Sequence, residues 1–132
     1  MESGSASALR GHYIVCGLGI VGYRAAELLH RLGERVVVVT LSGHDERIQA
    51  ARPAGVEVEI ADARDPSVLL RLGVMGARAL VVTTSKDVVN VEIALDAQRL
   101  RARQHRVEEF QVAITLVADA ALPARFLTFG VG

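Results

Sequence analysis

Short runs of β-branched and other apolar residues alternate with longer segments of helical periodicity along most of this chain. In the longer segments, apolar residues recur at intervals of three and four, as they do on the buried face of an amphipathic helix. Glycine, proline or polar capping residues separate the two kinds of segment. The pattern predicts strands at residues 12–16, 35–40, 56–61, 79–83 and 110–117, and helices at residues 20–32, 45–52, 65–72, 86–103 and from 119 onward.

Alternation of strand and helix without interruption is typical of a doubly wound α/β domain. Such a domain has a parallel sheet, right-handed crossovers and helices on both faces. We expect one domain over residues 12–132, preceded by a flexible lead-in at residues 1–11 that is rich in Ser, Gly and Ala. The last helix is predicted from spacing: Asp119 is a suitable N-cap, and Leu122, Phe126, Leu127 and Phe129 follow it.

Composition narrows the class of protein. The chain has 132 residues, 15 Lys and Arg against 15 Asp and Glu, and one cysteine. A single cysteine excludes a disulfide framework and any metal site built from several thiolates. The balanced charge argues against nucleic acid as a partner, because a duplex-binding surface needs an excess of cations. The apolar runs are shorter than the ~20 residues of a membrane-spanning helix, so we expect no direct membrane insertion.

A glycine motif, Gly17-Leu18-Gly19-Ile20-Val21-Gly22, joins the first predicted strand to the first predicted helix. The first glycine of such a motif makes the tight turn, the second lets backbone N–H groups approach a phosphate, and the third lets helix and strand pack closely. The helix N-terminus then presents unpaired N–H donors to an anion. We favour a phosphate-bearing ligand over the alternative, a tight turn that binds nothing.

The acid that completes this motif in NAD-binding folds belongs at the end of the second strand. Here that position is Thr40, followed by Leu41, and the next carboxylate is Asp45. Nearby Ser42, His44 and Arg47 have side chains suited to a ribose 2′-phosphate. We favour the other interpretation of these three residues, a solvated loop that leads into a polar helix.

Four stretches, taken in order, resemble the N-terminal domain of proteins that regulate potassium conductance and uptake, the RCK or TrkA-N/KTN family. The resemblance covers residues 12–132, and residues 12–17 are most similar to the versions fused to prokaryotic potassium channels. The four stretches are residues 13–22 (YIVCGLGIVG), 36–39 (VVVV), 61–69 (ADARDPSVL) and 79–87 (ALVVTTSKD), the last followed by Asn90.

This resemblance implies a Rossmann-like sheet of about five strands in the order 3-2-1-4-5, with an adenine-nucleotide pocket over the carboxyl ends of the strands. The implied ligand is NAD(H) or a nucleotide of the ATP, ADP or AMP type. Asp62 and Ala63 would border the adenine, and Thr83 and Thr84 would line the floor. The binding residues implied by position are Gly17, Leu18, Gly19, Ile20, Val21, Gly22, Thr40, Leu41, Asp62, Ala63, Thr83 and Thr84.

Two positions depart from the pattern of the resembled family. Thr40 stands where the family usually has a ribose-binding acid, and Ile20 stands where a basic residue is often found inside the glycine loop. Both departures remove charge-assisted contacts with a nucleotide. They leave the identity of the nucleotide open, and they make a ligand-free assembly domain of the same fold the main alternative.

Three further candidates receive simpler interpretations. Cys16 ends a predicted buried strand without a His or Asn partner set, so we interpret it as core. Asp62 and Asp87 match acids that bind calcium in some relatives, but two ligands are few for that ion, and we favour roles in a loop and a helix cap. The basic run Arg99, Arg101, Arg103 and Arg106 fits a helix C-terminus better than an RNA or lipid site.

The fourth helix carries a wide apolar stripe in which Val88, Val91 and Leu95 share one face. In the resembled family the last helices of this domain build the dimer interface, so we expect a homodimer or a larger ring. Phe126 and Phe129 form a second candidate patch.

The sequence offers no nucleophile–base pair, acid pair or metal cluster, so we predict a regulatory domain and not an enzyme. A fragment of an NAD(P)-dependent oxidoreductase is less favoured, because no residues remain for a substrate domain. The resemblance implies that a nucleotide gates ion flux through dimer or ring contacts. It also implies a cytoplasmic domain attached to the inner face of the membrane through a potassium channel or transporter pore. Because the family usually continues into another strand and a crossover helix, we expect the chain to be part of a larger protein.

Overall fold

The computed structural model of this chain describes residues 9–41, 46–103, 109–116 and 125–131, the last of these segments and Leu116 as backbone. Strands and helices alternate along the described residues up to the fifth strand, as the periodicity predicts. The elements are β1 (Tyr13–Cys16), α1 (Ile20–Arg31), β2 (Val36–Thr40), α2 (Glu46–Ala51), β3 (Glu57–Ile60), α3 (Pro66–Arg71), β4 (Ala79–Val82), α4 (Asp87–Arg101), β5 (Phe110–Leu116) and β6 (Arg125–Val131).

All six strands belong to one sheet, in the order β3-β2-β1-β4-β5-β6. The first five pair in parallel, so the predicted Rossmann-like sheet with order 3-2-1-4-5 is confirmed. Strand order reverses between β1 and β4: the chain moves outward from β1 through β2 to β3 and then returns to the other side of β1. Open α/β sheets bind ligands at the carboxyl end of such a crossover.

The helix predicted from residue 119 onward is wrong over residues 125–131, which form β6 and pair antiparallel with all of β5. Residues 117–124, including the predicted N-cap Asp119, lie outside the described residues. The segment is rich in residues that favour strands, with two phenylalanines, a threonine and a valine, and it contains a glycine that disfavours a helix. The edge of β5 provides the hydrogen-bonding partner that makes the strand form the stable one.

The side chains of the central strands alternate between two separate cores. Ile14 and Cys16 of β1 lie in one core with residues of α3 and α4, and Val15 lies in the other with residues of α1 and α2. In β2, Val37 and Val39 join the first core while Val36 and Val38 join the second. Because both faces of the sheet are covered, these strands are apolar throughout, which is why they appear in the sequence as unbroken hydrophobic runs.

Local capping signals set the ends of the helices around the site. Asp65 is the N-cap of α3, where its carboxylate accepts a hydrogen bond from the Ser67 N–H at 2.9 Å, and Pro66 occupies the first helical position. At the end of α1, the Gly33 N–H donates to the His30 carbonyl and the Glu34 N–H donates to the Leu29 carbonyl, which is a Schellman motif. These are the signals that the sequence analysis used.

Helix α4 buries one side and exposes the other. Ile93, Ala94 and Ala97 pack against the sheet, whereas Val88, Val91 and Leu95 are 79%, 40% and 41% exposed. The predicted apolar face of this helix is therefore uncovered in the single chain. None of the helices in the described part of the chain is long and apolar enough to cross a membrane.

At the end of the sheet opposite the crossover, buried polar side chains hold the turn that follows α3. Arg101, a member of the basic run, is buried, and its Nη1 donates to the carbonyl of Met75 at 2.6 Å. The guanidinium also lies over the Phe110 ring, 4.5 Å from its centre. His12 is fully buried as well, with Nε2 2.9 Å from the Leu72 carbonyl oxygen. Arg101 lies in the last turn of α4, as the interpretation of the basic run expects, and these buried contacts give it a structural role as well.

We predict that Arg101→Ala destabilises the fold while Arg99→Ala does not. Removing the Arg101 guanidinium deletes the hydrogen bonds that Nη1 donates to the carbonyls of Val74, Met75 and Ala77 and abolishes a cation–π contact, a loss of about 2–4 kcal/mol. Arg99 is exposed and makes a surface ion pair with Asp96, so its truncation should change stability by less than about 0.5 kcal/mol. Urea denaturation of both variants measures the difference, and equal stabilities would contradict the structural role.

We also predict that the fold loses stability as the pH falls below about 6.5, because of His12. Burial lowers the pKa of the His12 imidazole, and its Nδ1 has no hydrogen-bond partner among the described residues. A proton added to Nδ1 would have no acceptor, whereas in the unfolded chain the imidazole titrates normally. The unfolded state therefore binds more protons in this range, so the free energy of unfolding decreases with decreasing pH.

The effect is limited to about 1.4 kcal/mol per pH unit for one proton. It can be measured from urea denaturation at pH 7.5 and 5.5 for the wild type and for His12→Gln, which does not titrate. The variant should show a smaller loss between the two pH values. An equal loss in both proteins would show that other groups cause it.

Candidate functional site

A pocket of about 610 Å³ lies at the carboxyl ends of β1, β2, β3 and β4, over the crossover. The glycine loop after β1 forms one wall, the segments after β2 and β3 form another, and the β4–α4 loop closes the third side. The lining residues are Cys16, Gly17, Leu18, Gly19, Ile20, Val21, Val39, Thr40, Leu41, Ala61, Asp62, Ala63, Arg64, Thr83, Thr84, Ser85, Lys86, Val89, Ile93 and Thr115.

The glycine loop exposes the start of α1 to this pocket. Gly17 has φ +97°, a conformation that side chains disfavour, and its N–H donates to the Val39 carbonyl at 2.8 Å. Gly19 is the N-cap of α1. Since glycine has no side chain, it provides no capping group to accept hydrogen bonds from the N–H groups of the first helical turn. A Cβ on Gly19 would meet nothing within 4 Å. The loop thus presents backbone donors beside open space, which is the geometry of a phosphate site.

The third glycine has a packing role beneath the pocket. A Cβ on Gly22 would collide with the carbonyl oxygen of Gly17 and would lie 2.6 Å from the Thr83 hydroxyl. The Thr83 hydroxyl donates to two carbonyl oxygens, that of Cys16 at 3.1 Å and that of Gly17 at 3.2 Å. Gly22 does not line the pocket. Because Gly22 has no side chain, the glycine loop can lie directly against α1. The Thr83 hydroxyl then holds this loop against β4.

Asn90 organises the β4–α4 loop on the other side of the pocket. This fully buried amide accepts from the Thr84 N–H at 3.0 Å and from the Thr84 hydroxyl at 2.5 Å. It donates to the carbonyls of Thr84 at 3.1 Å and Thr115 at 2.8 Å. One side chain therefore ties together the loop after β4, the first turn of α4 and the end of β5.

An ion pair stands at the mouth of the pocket beyond β3. The Arg64 side chain donates to both carboxylate oxygens of Asp62, from Nε at 3.0 Å and from Nη2 at 2.7 Å. The Arg64 backbone N–H also donates to Asp62 Oδ1 at 2.9 Å. The hydrogen bonds from the Arg64 side chain and backbone hold the pKa of the Asp62 carboxyl below its usual range. Asp62 is therefore ionised at neutral pH and fixes the position of the guanidinium.

Among the described residues that line the pocket at the end of β2, none is acidic. Thr40 is half-buried, and Leu41 next to it is exposed at the pocket mouth, as is Ile20 across the opening. Ser42, His44 and the next carboxylate, Asp45, lie outside the described residues. Arg47 lies in the first turn of α2 and does not line the pocket.

Eleven of the twelve predicted binding residues line this one pocket, and Gly22 packs beneath it. Among the polar loop residues that line the pocket, sequence reasoning missed Arg64, Ser85 and Lys86, although all three lie inside stretches that it quoted. The available signal was position alone, because each of these residues follows a predicted strand end by a few residues. Two of the three are cations, so the sequence-based prediction left out the positive charge of the site.

The remaining chemistry-bearing residues are structural in the described part of the chain. Burial raises the pKa of the Cys16 thiol to about 12, which makes it unreactive at neutral pH. Among the residues that the structure describes, no cluster of three or more His, Cys, Asp or Glu side chains is arranged to hold a metal ion. Asp62 pairs with Arg64, and Asp87 lies in the first turn of α4, a position that favours an acid.

Residues 13–122 match the family model of the TrkA-N domain. A putative K⁺ efflux antiporter KefB from Alkalimonas amylolytica is 35% identical over 75 residues, which is 57% of this chain and 11% of that protein. The voltage-gated potassium channel Kch from Escherichia coli strain K12 is 28% identical over 91 residues, 67% of this chain and 22% of that protein. The chain thus spans less than a quarter of the length of the curated relatives that it matches.

Solved structures share the fold. The TrkA-N domain of the inner membrane protein YbaL from Escherichia coli has a TM-score of 0.62 at 23% identity, covering 71% of this chain and 67% of that one. The GsuK channel bound to NAD has a TM-score of 0.61 at 26% identity, covering 70% and 17%. GsuK bound to ADP has a TM-score of 0.60 at 26% identity, covering 71% and 24%.

The geometry of the glycine loop predicts opposite outcomes for two similar substitutions. Gly22→Ala places a methyl group against the Gly17 carbonyl and should destabilise the fold by about 1–3 kcal/mol. Gly19→Ala meets open space at an extended backbone position, and its stability should stay within about 1 kcal/mol of the wild type. Thermal and urea denaturation measure both. A Gly22→Ala protein as stable as Gly19→Ala would refute the close contact.

Proposed function

Because the chain belongs to the TrkA-N domain family, we propose that it is a regulatory domain that binds an adenine nucleotide and controls a potassium channel or transporter. The observation that carries this proposal is the 610 Å³ pocket at the crossover, with the glycine loop and the first turn of α1 on its wall. Such a turn offers unpaired N–H donors and the positive end of a helix dipole to a phosphate.

The proposed ligand contacts follow from where the residues lie around the pocket. The phosphates bind against the glycine loop, where the space beside Gly19 is open. The ribose lies toward Thr40 and Leu41 at the end of β2, and the base lies toward Asp62 and Ala63 after β3. In this proposal Thr83 and Thr84 support the floor, since their hydroxyls already donate to the Cys16 and Gly17 carbonyls and to Asn90.

The ligand class in this proposal is NAD(H) or a nucleotide of the ATP, ADP or AMP type. Two observations support it: the glycine loop of this chain, and the fact that GsuK, a structural neighbour, is found bound to NAD and bound to ADP. The domain itself is proposed to be regulatory and not catalytic. The charged groups at the pocket, Asp62, Arg64 and Lys86, bind and position a ligand in this proposal.

The proposed assembly is a homodimer or larger ring, with the exposed α4 face of Val88, Val91 and Leu95 as the contact surface. Three exposed aliphatic side chains on one helix face are stabilised when a second copy covers them. The chain would then act in the cytoplasm, held at the inner face of the membrane by the pore that it regulates. A nucleotide changes the pore only if it binds one arrangement of the assembly more tightly than another.

A ligand-free assembly domain is the second candidate, and one observation favours it. Neither Ile20 in the glycine loop nor Thr40 at the end of β2 provides the charged contact that a nucleotide would use there. In that case the α4 face would be the functional surface, and the pocket would bind no nucleotide.

We predict that an adenine nucleotide stabilises the chain and that Gly19→Asp abolishes the effect. A ligand at about 100 times its Kd contributes ~2.7 kcal/mol to the folded state, a Tm increase on the order of 10 °C for a domain of this size. The carboxylate introduced by this substitution would stand where the phosphate binds and repel it, while an acidic N-cap preserves helix α1. Thermal shift with NADH, NAD, ATP, ADP and AMP, followed by calorimetry, measures this.

The matched control is Gly19→Asn, which adds the same bulk without the charge and should retain more affinity than Gly19→Asp. Stabilisation by none of the five nucleotides would reject the nucleotide-binding proposal and favour the assembly domain. Stabilisation that survives Gly19→Asp would show that the nucleotide binds elsewhere. Substrate-dependent turnover with a nicotinamide cofactor would overturn the regulatory, non-catalytic part of the proposal.

A further inference from the structure

The described residues that line the pocket carry a net positive charge. Asp62 is the acid among them, and Arg64 and Lys86 are the cations, which gives a net charge of +1. The end of β2, where NAD-binding folds place an acid for the two ribose hydroxyls, has the neutral Thr40. An acid at that position repels a phosphate on the ribose, so its replacement by Thr40 removes the main obstacle to a phosphorylated ribose.

The Arg64 side chain belongs to the segment that lies beside this ribose position. Strands β2 and β3 pair in parallel, with Thr40 opposite Ile60, and the Ala61 N–H donates to the Thr40 carbonyl at 3.0 Å. The chain then turns at Asp62, whose carbonyl accepts from the Asp65 N–H at 3.1 Å, and this turn contains Arg64. The ends of β2 and β3 and the guanidinium therefore border the same part of the pocket.

The Asp62–Arg64 pair leaves part of the guanidinium available. Asp62 occupies Nε and Nη2 of Arg64, and the two Nη1 N–H groups make no hydrogen bond among the described residues. The hydrogen bonds with Asp62 raise the pKa of Arg64, and the Glu92 carboxylate acts on this guanidinium only through its charge, which raises that pKa further. Three hydrogen bonds from the side chain and one from the Arg64 backbone N–H hold this residue in place before a ligand arrives. A guanidinium fixed in this way loses little conformational freedom when it binds a phosphate.

We infer that this pocket selects an adenine nucleotide that carries a phosphate on the ribose 2′-oxygen, as NADP(H) does, and that Arg64 is the residue that recognises this phosphate. The inference rests on the proposed function, because it concerns the same site. A phosphate monoester adds a charge of about −1.5 to −2 at neutral pH, which suits a site of net positive charge. Folds that bind NADP accept the 2′-phosphate with an arginine near the ribose position, and Arg64 follows β3, the strand that pairs with β2.

Titration calorimetry of the 132-residue chain with NADPH and NADH tests the selectivity directly. A charge-assisted hydrogen bond contributes enough for a preference of about tenfold or more for NADPH. Adenosine 2′,5′-bisphosphate and ADP form a second pair of probes, which differ in where the second phosphate is attached. The bisphosphate should bind more tightly, and raising the salt concentration should reduce its advantage.

Two substitutions assign the preference to its residues. Arg64→Gln should reduce the NADPH preference to within about threefold, because NADPH loses more affinity than NADH does. Thr40→Asp restores the acid and should shift the preference toward NADH by about tenfold. Arg78→Gln is the matched control: it makes the same charge change at an exposed residue at the other end of β4, and it should leave both affinities unchanged.

Each result has a distinct meaning. NADH binding as tightly as NADPH would overturn this inference while leaving the proposed nucleotide site intact. An NADPH preference that persists in Arg64→Gln would overturn the role of Arg64. Binding of neither dinucleotide and none of ATP, ADP and AMP would reject the proposed function, and the inference with it.

Discussion

The fold around the pocket depends on one close contact between backbone segments, where Gly22 of α1 lies against the Gly17 carbonyl and beneath the Thr83 hydroxyl. A side chain at Gly22 would separate α1 from β1, and the Thr83 hydroxyl adds to the backbone bonds that hold the turn against β4. The contact sets the direction in which α1 leaves the sheet. It therefore determines that the first helical turn faces the crossover rather than solvent.

This contact also explains why the three glycines of the motif are not equivalent. Gly17 is required by its backbone conformation and Gly22 by the absence of space. Gly19 is required by neither, because its position is extended and open. Glycine is a favoured N-cap, and its lack of a side chain also lets a ligand approach the first turn of α1 closely. The open space at Gly19 supports a ligand site for that reason.

Most of the sheet could be predicted from sequence because the deciding signals, such as the valines of β2 and the Asp65-Pro66 cap, act within a few residues. The last strand could not, because residues 125–131 have apolar spacing compatible with a helix and are held by pairing with β5. The location of the pocket could be predicted, but the charges that line it could not. The orientation of the Arg64 side chain depends on its ion pair with Asp62. Arg101 shows the same limit, because its carbonyl partner at Met75 lies 26 residues away in sequence.

The four hydrogen bonds of Asn90 have a mechanical consequence. They join the floor of the pocket, the first turn of α4 and the end of β5 into a single stiff unit. The β4–α4 loop can move alone only by breaking some of these hydrogen bonds, each of which contributes about 1 kcal/mol. The exposed face at Val88, Val91 and Leu95 begins within this same unit. A displacement of the pocket floor that keeps these bonds therefore moves the start of that face with it.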